Sequence, residues 1–266
     1  MCNLKEKEID WNYDVEGEAH NSVLVFFHGW GVDHRIWKQQ TKYLSKEYRV
    51  LNVDLPGHGQ SSWSNFSLKD MMQSFKEVLD REQIDKFSII ASSLGGLFAL
   101  SLYDLCKDRV EKISFTGSLP RFCKNQKQPY GLDVDQLRKL EDQINTSYPS
   151  IVNVFFRSLF TIQERSTRRF KWLQRFRKFD QVPMQKALSS YLDVLEKEDL
   201  KDVLLGVNIP IQFINGLEDP ICNRLAVDAL KSMCPSADFY DFVECGHFPF
   251  LTQPYEFNEV LEKFLK

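Results

Sequence analysis

Residues 87–105 read FSIIASSLGGLFALSLYDL, in which a run of small residues joins two apolar segments. The first segment, Phe87 to Ala91, has the length and the apolar, β-branched composition of a buried strand. The second, from Leu94 onward, has the apolar spacing of a buried helix. Gly95 and Gly96 remove the side chains that would keep this helix from packing close to the strand. The small residues therefore predict a tight turn from strand to helix.

This turn has the composition of a nucleophile elbow, which presents a serine hydroxyl from a strained turn at the N-terminus of a helix. The usual elbow reads G-x-S-x-G, whereas residues 91–95 read ASSLG, so that alanine replaces the first glycine. The register makes Ser93 the candidate nucleophile and Ser92 the alternative. In this geometry the backbone N–H of Leu94 points to where an oxyanion would form. An ordinary tight turn of small residues is the other interpretation.

Length, charge and composition limit the class of protein. The 266 residues can bury a large core as one domain built on an open α/β sheet. The net charge of −3 argues against a nucleic-acid binder. No run is long and apolar enough to cross a bilayer, and the first residues, MCNLKEKEID, lack the apolar centre of a signal peptide. We therefore expect a cytoplasmic protein, and a monomer.

The spacing of the cysteines argues against a metal site. The six cysteines lie apart, without CxxC pairs or histidines at metal-ligand spacing. In a cytoplasmic protein we expect reduced and mostly buried thiols. We expect neither a metal ion nor another cofactor. The cysteines are Cys2, Cys106, Cys123, Cys222, Cys234 and Cys245.

Strands and helices alternate along the first part of the chain. One or two edge strands are expected before Ser22. Further strands are predicted at residues 23–27, 48–53, 87–91 and 110–116. Helices are predicted between them at residues 34–46, 68–82 and 94–105. This alternation predicts an α/β fold with a mostly parallel central sheet and helices on both faces.

The alternation stops at Ser118. Residues 119–198 are helical, charged and aromatic in pattern, without a convincing strand, and predict an inserted helical lid over the carboxyl ends of the strands. The α/β pattern then returns, with a strand at 211–215, a helix at 224–234, a strand at 239–243 and a helix at 255–265. We therefore expect a core formed by residues 1–118 and 199–266, interrupted by the lid.

Two glycine-rich loops follow predicted strands. His28 to Gly31, HGWG, comes directly after the strand at 23–27, at the edge of the sheet where open α/β folds build their sites. There the backbone N–H of Trp30 would be a second donor to an oxyanion. A simple turn is the other interpretation. Asp54 to Ser61, DLPGHGQS, is dense in turn-forming residues.

A nucleophilic serine needs an imidazole to take its proton and a carboxylate to fix the tautomer of that imidazole. His247 lies in the loop ECGHFPF, residues 244–250, between the last strand and the last helix, and is the candidate base. The other four histidines are less suitable, because they lie in a polar segment, at the start of a predicted surface helix, or in glycine-rich loops where the ring would brace a turn. They are His20, His34, His28 and His58.

The candidate carboxylate lies in NGLEDPI, residues 215–221, which closes the strand that resumes after the lid. Asp219 is four residues past the predicted strand end, on the same rim of the sheet as Ser93 and His247. Glu218 is the alternative. The order serine, aspartate, histidine along the chain is that of the α/β-hydrolase arrangement.

The glycine-rich and acidic loops together resemble a known family. HGWG, DLPGHGQS, SSLGG, NGLEDPI and GHFPF resemble successive motifs of the α/β-hydrolase fold, over nearly the whole chain outside the lid. Trp30, the DLPGHGQS loop and the SLP at 118–120 are most similar to the pimeloyl-[acyl-carrier protein] methyl ester esterases of biotin synthesis. This resemblance implies a serine carboxylesterase that acts on a methyl ester of a pimeloyl group on acyl carrier protein.

The same resemblance implies roles for individual residues. Ser93 would be the nucleophile, Asp219 the orienting acid and His247 the base. The backbone N–H groups of Trp30 and Leu94 would form the oxyanion hole, and the ring of Trp30 would line the acyl pocket. Ser93, Leu94 and His247 would also contact the substrate.

Two lid segments are candidates for substrate and partner binding. In the apolar segment at 151–160, we expect Phe155 and Leu159 to face the acyl chain. Residues 165–178 contain seven basic residues and no acidic one. Such a helix is a solvated surface, a membrane contact or a dock for an acidic protein. With the family resemblance, we expect acyl carrier protein to dock on its basic face, formed by Arg168, Lys171, Arg175 and Lys178.

Other functions on this scaffold stay open at the level of sequence. A general short-chain carboxylesterase, or a lyase or C–C hydrolase, would use the same three residues. A non-catalytic module that binds a ligand or a carrier is less compatible with the sequence, because such a module has no need to keep serine, histidine and aspartate together.

Overall fold

The computed structural model describes residues 8–18, 20–176 and 182–266, without the side chains of residues 175 and 176. Within these residues one sheet has seven strands in the spatial order β1-β3-β2-β4-β5-β6-β7. β1 is antiparallel to β3 and all other neighbours are parallel. The strands are β1 (Tyr13–Glu16), β2 (Val23–Phe27), β3 (Arg49–Val53), β4 (Phe87–Ser92), β5 (Val110–Thr116), β6 (Ile211–Gly216) and β7 (Asp238–Phe242).

Helices cover this sheet and fill the segment between β5 and β6. The core helices are α1 (Lys38–Leu44), α2 (Leu68–Arg81), α3 (Gly95–Leu105), α9 (Lys201–Leu205), α10 (Arg224–Met233), α11 (Pro249–Thr252) and α12 (Pro254–Leu265). The helices between residues 119 and 198 are α4 (Val134–Ser147), α5 (Ser150–Ser158), α6 (Ile162–Ser166), α7 (Arg168–Phe176) and α8 (Gln185–Lys197). Short 3-10 turns lie at His34–Trp37 and Lys107–Arg109. Every predicted strand and helix of the core is present, with ends displaced by two residues at most where no 3-10 turn intervenes.

The sheet has a separate apolar core on each face, because side chains alternate along a strand. Val25 and Phe27 of β2 belong to one core, which packs against α2 and α3. Leu24 and Phe26 belong to the other, which packs against α1 and α12. The predicted parallel sheet with helices on both faces is therefore confirmed.

The helices between β5 and β6 pack onto both cores. Side chains of α8, such as Leu188 and Tyr191, join the core that contains α2 and α3. Phe156, Phe170 and Leu173 join the other. Because these helices bury their apolar faces on the core rather than on one another alone, we propose to treat residues 119–198 as a lid docked on the α/β core.

The cysteines and the hydrophobic segments of the described chain add two findings. Cys106, Cys123, Cys222, Cys234 and Cys245 are buried free thiols, as predicted, and Cys2 lies outside the described residues. In the described ranges, no helix is both long and apolar enough to span a bilayer.

Candidate active site

The turn between β4 and α3 presents Ser93 and hides Ser92. Ser93 has a φ of +54°, in the left-handed region that is strained for a residue with a side chain. It is half-buried and lines a cavity of about 390 Å³. Ser92 is the last residue of β4, lies opposite Thr116 and is fully buried. Of the two serines, only Ser93 can therefore meet a bound molecule.

Glycines allow α3 to begin close to neighbouring strand ends. A Cβ on Gly95 would lie 2.6 Å from the carbonyl oxygens of Phe27 and His28, at the end of β2. A Cβ on Gly96 would overlap the Ser118 hydroxyl group. Ala91, which replaces the usual first glycine, is fully buried in β4, so the sheet accommodates its methyl group.

Asp219 and His247 meet at the carboxyl edge of the sheet. His247 Nδ1 lies 2.7 Å from Asp219 Oδ2, and both residues are buried. Asp219 Oδ1 accepts hydrogen bonds from the backbone N–H groups of Ile221 (2.7 Å) and Cys222 (3.1 Å). The carboxylate is thereby fixed, and it favours the tautomer in which Nδ1 carries the proton and Nε2 accepts. The alternative carboxylate, Glu218, is exposed.

Gly117, which follows β5, lies close to both His247 and Asp219. Its φ is +54°, and a Cβ there would lie 2.9 Å from His247 Nδ1 and Cε1 and 3.2 Å from Asp219 Oδ2. The absence of a side chain at this position therefore makes room for the imidazole ring. No sequence motif singles out Gly117, because its role depends on contacts between separate loops.

The loop after β2 lies against Ser93. A Cβ on Gly29 would be 3.0 Å from Ser93 Cβ. Within the described residues, the backbone N–H groups of Trp30 and Leu94 donate to no other group of the protein. Leu94 follows Ser93 in the chain, and Trp30 follows Gly29, which lies against Ser93. Two backbone N–H groups near Ser93 are therefore without an acceptor among the described residues.

Two histidines brace this loop, as predicted. His28 Nε2 accepts a hydrogen bond from Leu55 N–H (2.9 Å), and His58 Nε2 accepts one from Gly31 N–H (3.1 Å). Burial lowers the pKa of both rings, that of His58 to about 3. Each ring therefore stays neutral near pH 7, which it must be to accept at Nε2.

A largely apolar cavity of about 390 Å³ lies over Ser93 and His247. Trp30, Phe155 and Leu159, the predicted lining residues, all contribute to its wall. The contribution of α4 and α8 to the wall was not predicted. Their residues that face the cavity are Gln136, Leu137, Lys139, Leu140, Gln143, Leu192 and Leu195. Their spacing marks amphipathic helices, but it does not indicate what those helices cover.

Comparison with known proteins identifies the family. A family model for the α/β-hydrolase fold matches residues 22–254. The chain belongs to the α/β-hydrolase family. It is 29% identical over 243 residues to a pimeloyl-[acyl-carrier protein] methyl ester esterase of Nitrosomonas europaea, a match that covers 91% of this chain and 95% of that relative. The predicted fold and enzyme class, a carboxylic ester hydrolase of this family, are confirmed.

Solved structures of α/β hydrolases superimpose on nearly the whole chain. An enol-lactonase from Burkholderia xenovorans gives a TM-score of 0.84 at 19% identity and covers 96% of each chain. An esterase from Exiguobacterium antarcticum gives 0.84 at 21% identity, with 96% of this chain and 94% of that one covered. At these identities the likeness establishes the α/β-hydrolase fold alone.

One cluster in the described part of this α/β hydrolase, formed by Asp33, His34 and Asp54, has the geometry of a metal site, but each member already has a partner in the protein. Asp54 Oδ1 accepts hydrogen bonds from the backbone N–H (2.9 Å) and Nδ1 (2.7 Å) of His34. Asp33 is paired with Arg35 at 2.7 Å. His34 begins the helical segment, as predicted. Its ring is buried between Asp54 and Asp14, however, and does not lie at the surface. The cluster anchors the loop after β3.

The basic helix α7 presents charge away from the cavity. Arg168 and Lys171 are exposed, whereas Phe170 and Leu173 are buried against the core. No described side chain of α7 lines the cavity. The Arg175 side chain and all of Lys178, the other members of the predicted basic face, lie outside the described residues.

Proposed function

We propose that this α/β hydrolase is a cytoplasmic serine carboxylesterase that cleaves the methyl ester of a pimeloyl, or similar medium-chain dicarboxylyl, group on acyl carrier protein in biotin synthesis. One observation carries the reaction type: Ser93, on a strained turn, shares a cavity with a buried His247 that is hydrogen-bonded to Asp219. The named relative from Nitrosomonas europaea supports the substrate.

The mechanism assigns a role to each of these groups. Ser93 Oγ attacks the ester carbonyl while His247 Nε2 takes its proton, and the oxyanion is bound by the N–H groups of Trp30 and Leu94. His247 returns the proton to the leaving methoxide, so that methanol departs and an acyl-enzyme remains. A water molecule, activated by His247, then releases the carboxylic acid and restores Ser93. Asp219 stabilises the imidazolium formed in each half of the reaction.

The cavity suits an acyl chain of moderate length. Its volume of about 390 Å³ is within the range of small-molecule sites, and Phe155, Leu159 and Leu192 are among its apolar walls. Burial of the methylene groups of an acyl chain there would contribute roughly 0.8 kcal/mol each. Among the described residues that line the cavity, only Lys139 carries a full positive charge. This charge favours a substrate with an acidic carrier.

Carrier docking is proposed on the exposed basic face of α7. Acyl carrier protein is strongly acidic, and Arg168 and Lys171 face solvent on the lid. Attraction between exposed charges is long-ranged but screened by salt. Docking through this face therefore predicts a rate advantage for carrier-linked substrates that weakens as salt is added.

We expect purified protein to prefer the carrier-linked pimeloyl methyl ester over an aryl acetate, and to lose much of that preference in high salt. Replacing Arg168 and Lys171 together by glutamine should lower kcat/KM for the carrier substrate roughly five-fold, because exposed charges mainly affect encounter. The rate with aryl acetate should not change. Steady-state kinetics at several salt concentrations measure kcat/KM for the carrier substrate and for the aryl acetate.

A matched control variant removes two positive charges from a different surface of the protein. Lys42→Gln with Lys69→Gln alters exposed residues of α1 and α2, on the core rather than the lid. An equal loss of kcat/KM for the carrier substrate in this control would refute docking on the basic face of α7. A preference for aryl acetate over the carrier substrate would instead favour a general short-chain esterase.

Gly117→Ala is expected to lower kcat by on the order of 10²-fold, because the new methyl group would displace the His247 ring from its place beside Asp219. Gly206→Ala is the control, since its nearest neighbour would be 3.4 Å from the added Cβ. Steady-state assays of both variants with an aryl acetate compare the effects. An unchanged kcat in Gly117→Ala would show that the contact does not constrain the base.

A further inference from the structure

Glu164 is a buried carboxylate of the lid that contacts the loop of His247. It is 7% exposed and occupies the third position of α6. Its Oε2 accepts hydrogen bonds from Thr161 N–H at 2.7 Å and from Gly246 N–H at 3.2 Å. The first bond belongs to an ordinary capping box, in which the Thr161 hydroxyl also accepts from Glu164 N–H at 3.0 Å. The second joins the lid to the residue before His247.

A second hydrogen bond joins the same two segments. The backbone N–H of His247 donates to the carbonyl oxygen of Leu159 at 2.9 Å. A Cβ on Gly246 would lie 2.9 Å from Glu164 Oε2 and 3.2 Å from Phe160 Cα, so the loop can approach the lid only because residue 246 is glycine. Two successive N–H groups of the His247 loop are thus held by the end of α5 and the start of α6.

A helix cap alone does not explain this placement of Glu164. A capping glutamate works equally well at the surface, whereas burying a carboxylate has a desolvation cost. Among the described residues, Glu164 Oε1 has no hydrogen-bond partner. Burial, together with the charge of Glu164, also raises the pKa of the Cys245 thiol next to Gly246. A buried carboxylate therefore lies at the point where the lid contacts the His247 loop.

We propose that Glu164 is a positioning residue for His247: it fixes the backbone of residues 245–247 to the lid and so keeps the imidazole aligned with Asp219 and Ser93. This inference rests on the proposed function, in which His247 is the general base. Since the lid supplies the hydrogen-bond acceptor, the position of the lid and the alignment of the base are coupled.

Three substitutions of Glu164 separate this role from packing, two of which keep the length of the side chain. Glu164→Gln keeps an oxygen that accepts both N–H groups, and we expect its kcat to stay within about threefold of the parent. Glu164→Met and Glu164→Ala remove the acceptor, and kcat should fall by on the order of 10-fold or more with KM nearly unchanged, because the base is misaligned. An aryl acetate is the substrate. Circular dichroism shows which of the Met and Ala variants is folded like the parent, and kcat is compared for that variant.

Thr161→Val is the matched control for helix capping. It removes the hydroxyl acceptor of the capping box but leaves the backbone N–H of Thr161 intact. Gly246 N–H can still donate to Glu164, so kcat should be unchanged. The low-field proton resonance of His247 Nδ1–H provides a direct readout of alignment. It should be retained in Glu164→Gln and Thr161→Val, and lost or shifted where the acceptor is absent.

Two results would overturn the inference: an unchanged kcat in the folded Met or Ala variant, or an equal loss of kcat in Thr161→Val. His247→Ala tests the proposed function separately. If that variant stays active, His247 is not the base and the proposed mechanism fails. If it is inactive while the Glu164 variants match the parent, only the positioning role fails.

Discussion

Ser93→Ala should lower ester hydrolysis by on the order of 10⁴-fold or more, because it removes the oxygen that attacks the substrate and leaves only binding and the oxyanion donors. The substitution deletes a single atom from a half-buried residue, and an alanine at a φ of +54° is no more strained than the serine. We therefore expect nearly unchanged thermal stability. Active-site labelling by an organophosphonate should disappear together with the hydrolytic rate.

Ser92→Ala is the internal control for this prediction. Ser92 precedes the candidate nucleophile, is fully buried, and its hydroxyl has no hydrogen-bond partner among the described residues. Removing that hydroxyl should leave kcat within about twofold of the parent, because no bond to the protein is lost. If Ser92→Ala were inactive and Ser93→Ala active, the register of the elbow would be wrong by one residue.

Asp219→Asn should lower kcat by on the order of 10⁴-fold with little change in fold. The asparagine oxygen can still accept from Ile221 and Cys222 N–H, as Asp219 Oδ1 does. Its NH2 group would then face His247 Nδ1 and donate to it, which places the ring proton on Nε2. The ring could no longer take a proton from Ser93. Single-turnover kinetics with an aryl acetate measure the acylation step directly.

Glu218→Gln provides the comparison for Asp219→Asn. Glu218 is the neighbouring carboxylate and is exposed, so its neutralisation should change kcat by less than about twofold. A large loss in Glu218→Gln, with Asp219→Asn close to the parent, would exchange the roles of the two carboxylates.

The strands and the elbow could be predicted from sequence because local patterns determine them. The apolar run at 23–27 and the strand at 110–116 appear with the predicted bounds. The β4-to-α3 turn could be recognised because small residues must separate a buried strand from a buried helix at such short distance. The places of Asp219 and His247 followed from their loops, since parallel strands end at one edge of the sheet.

Contacts between distant segments could not be predicted in this way. Gly117 and Glu164 look unremarkable in the sequence, and their contacts with the His247 loop arise only once β5, β7 and the lid are in place. The same is true of the α4 residues in the cavity wall, where the helical period identifies an apolar face but not its partner. The burial of the His34 ring also escapes prediction, because it depends on Asp54, a partner 20 residues away in the chain.

The neutral ring of His58 makes the native state sensitive to acid. An unfolded histidine takes up a proton near pH 6.5, whereas the folded ring of His58 resists protonation down to about pH 3. Between these values the unfolded chain binds more protons, so this residue's contribution to the free energy of unfolding falls as the pH falls, by about 1.4 kcal/mol per pH unit. The hydrogen bond from Gly31 N–H to His58 Nε2 requires a neutral ring. Stabilising the HGWG loop in this way thus makes the folded enzyme less stable in acid.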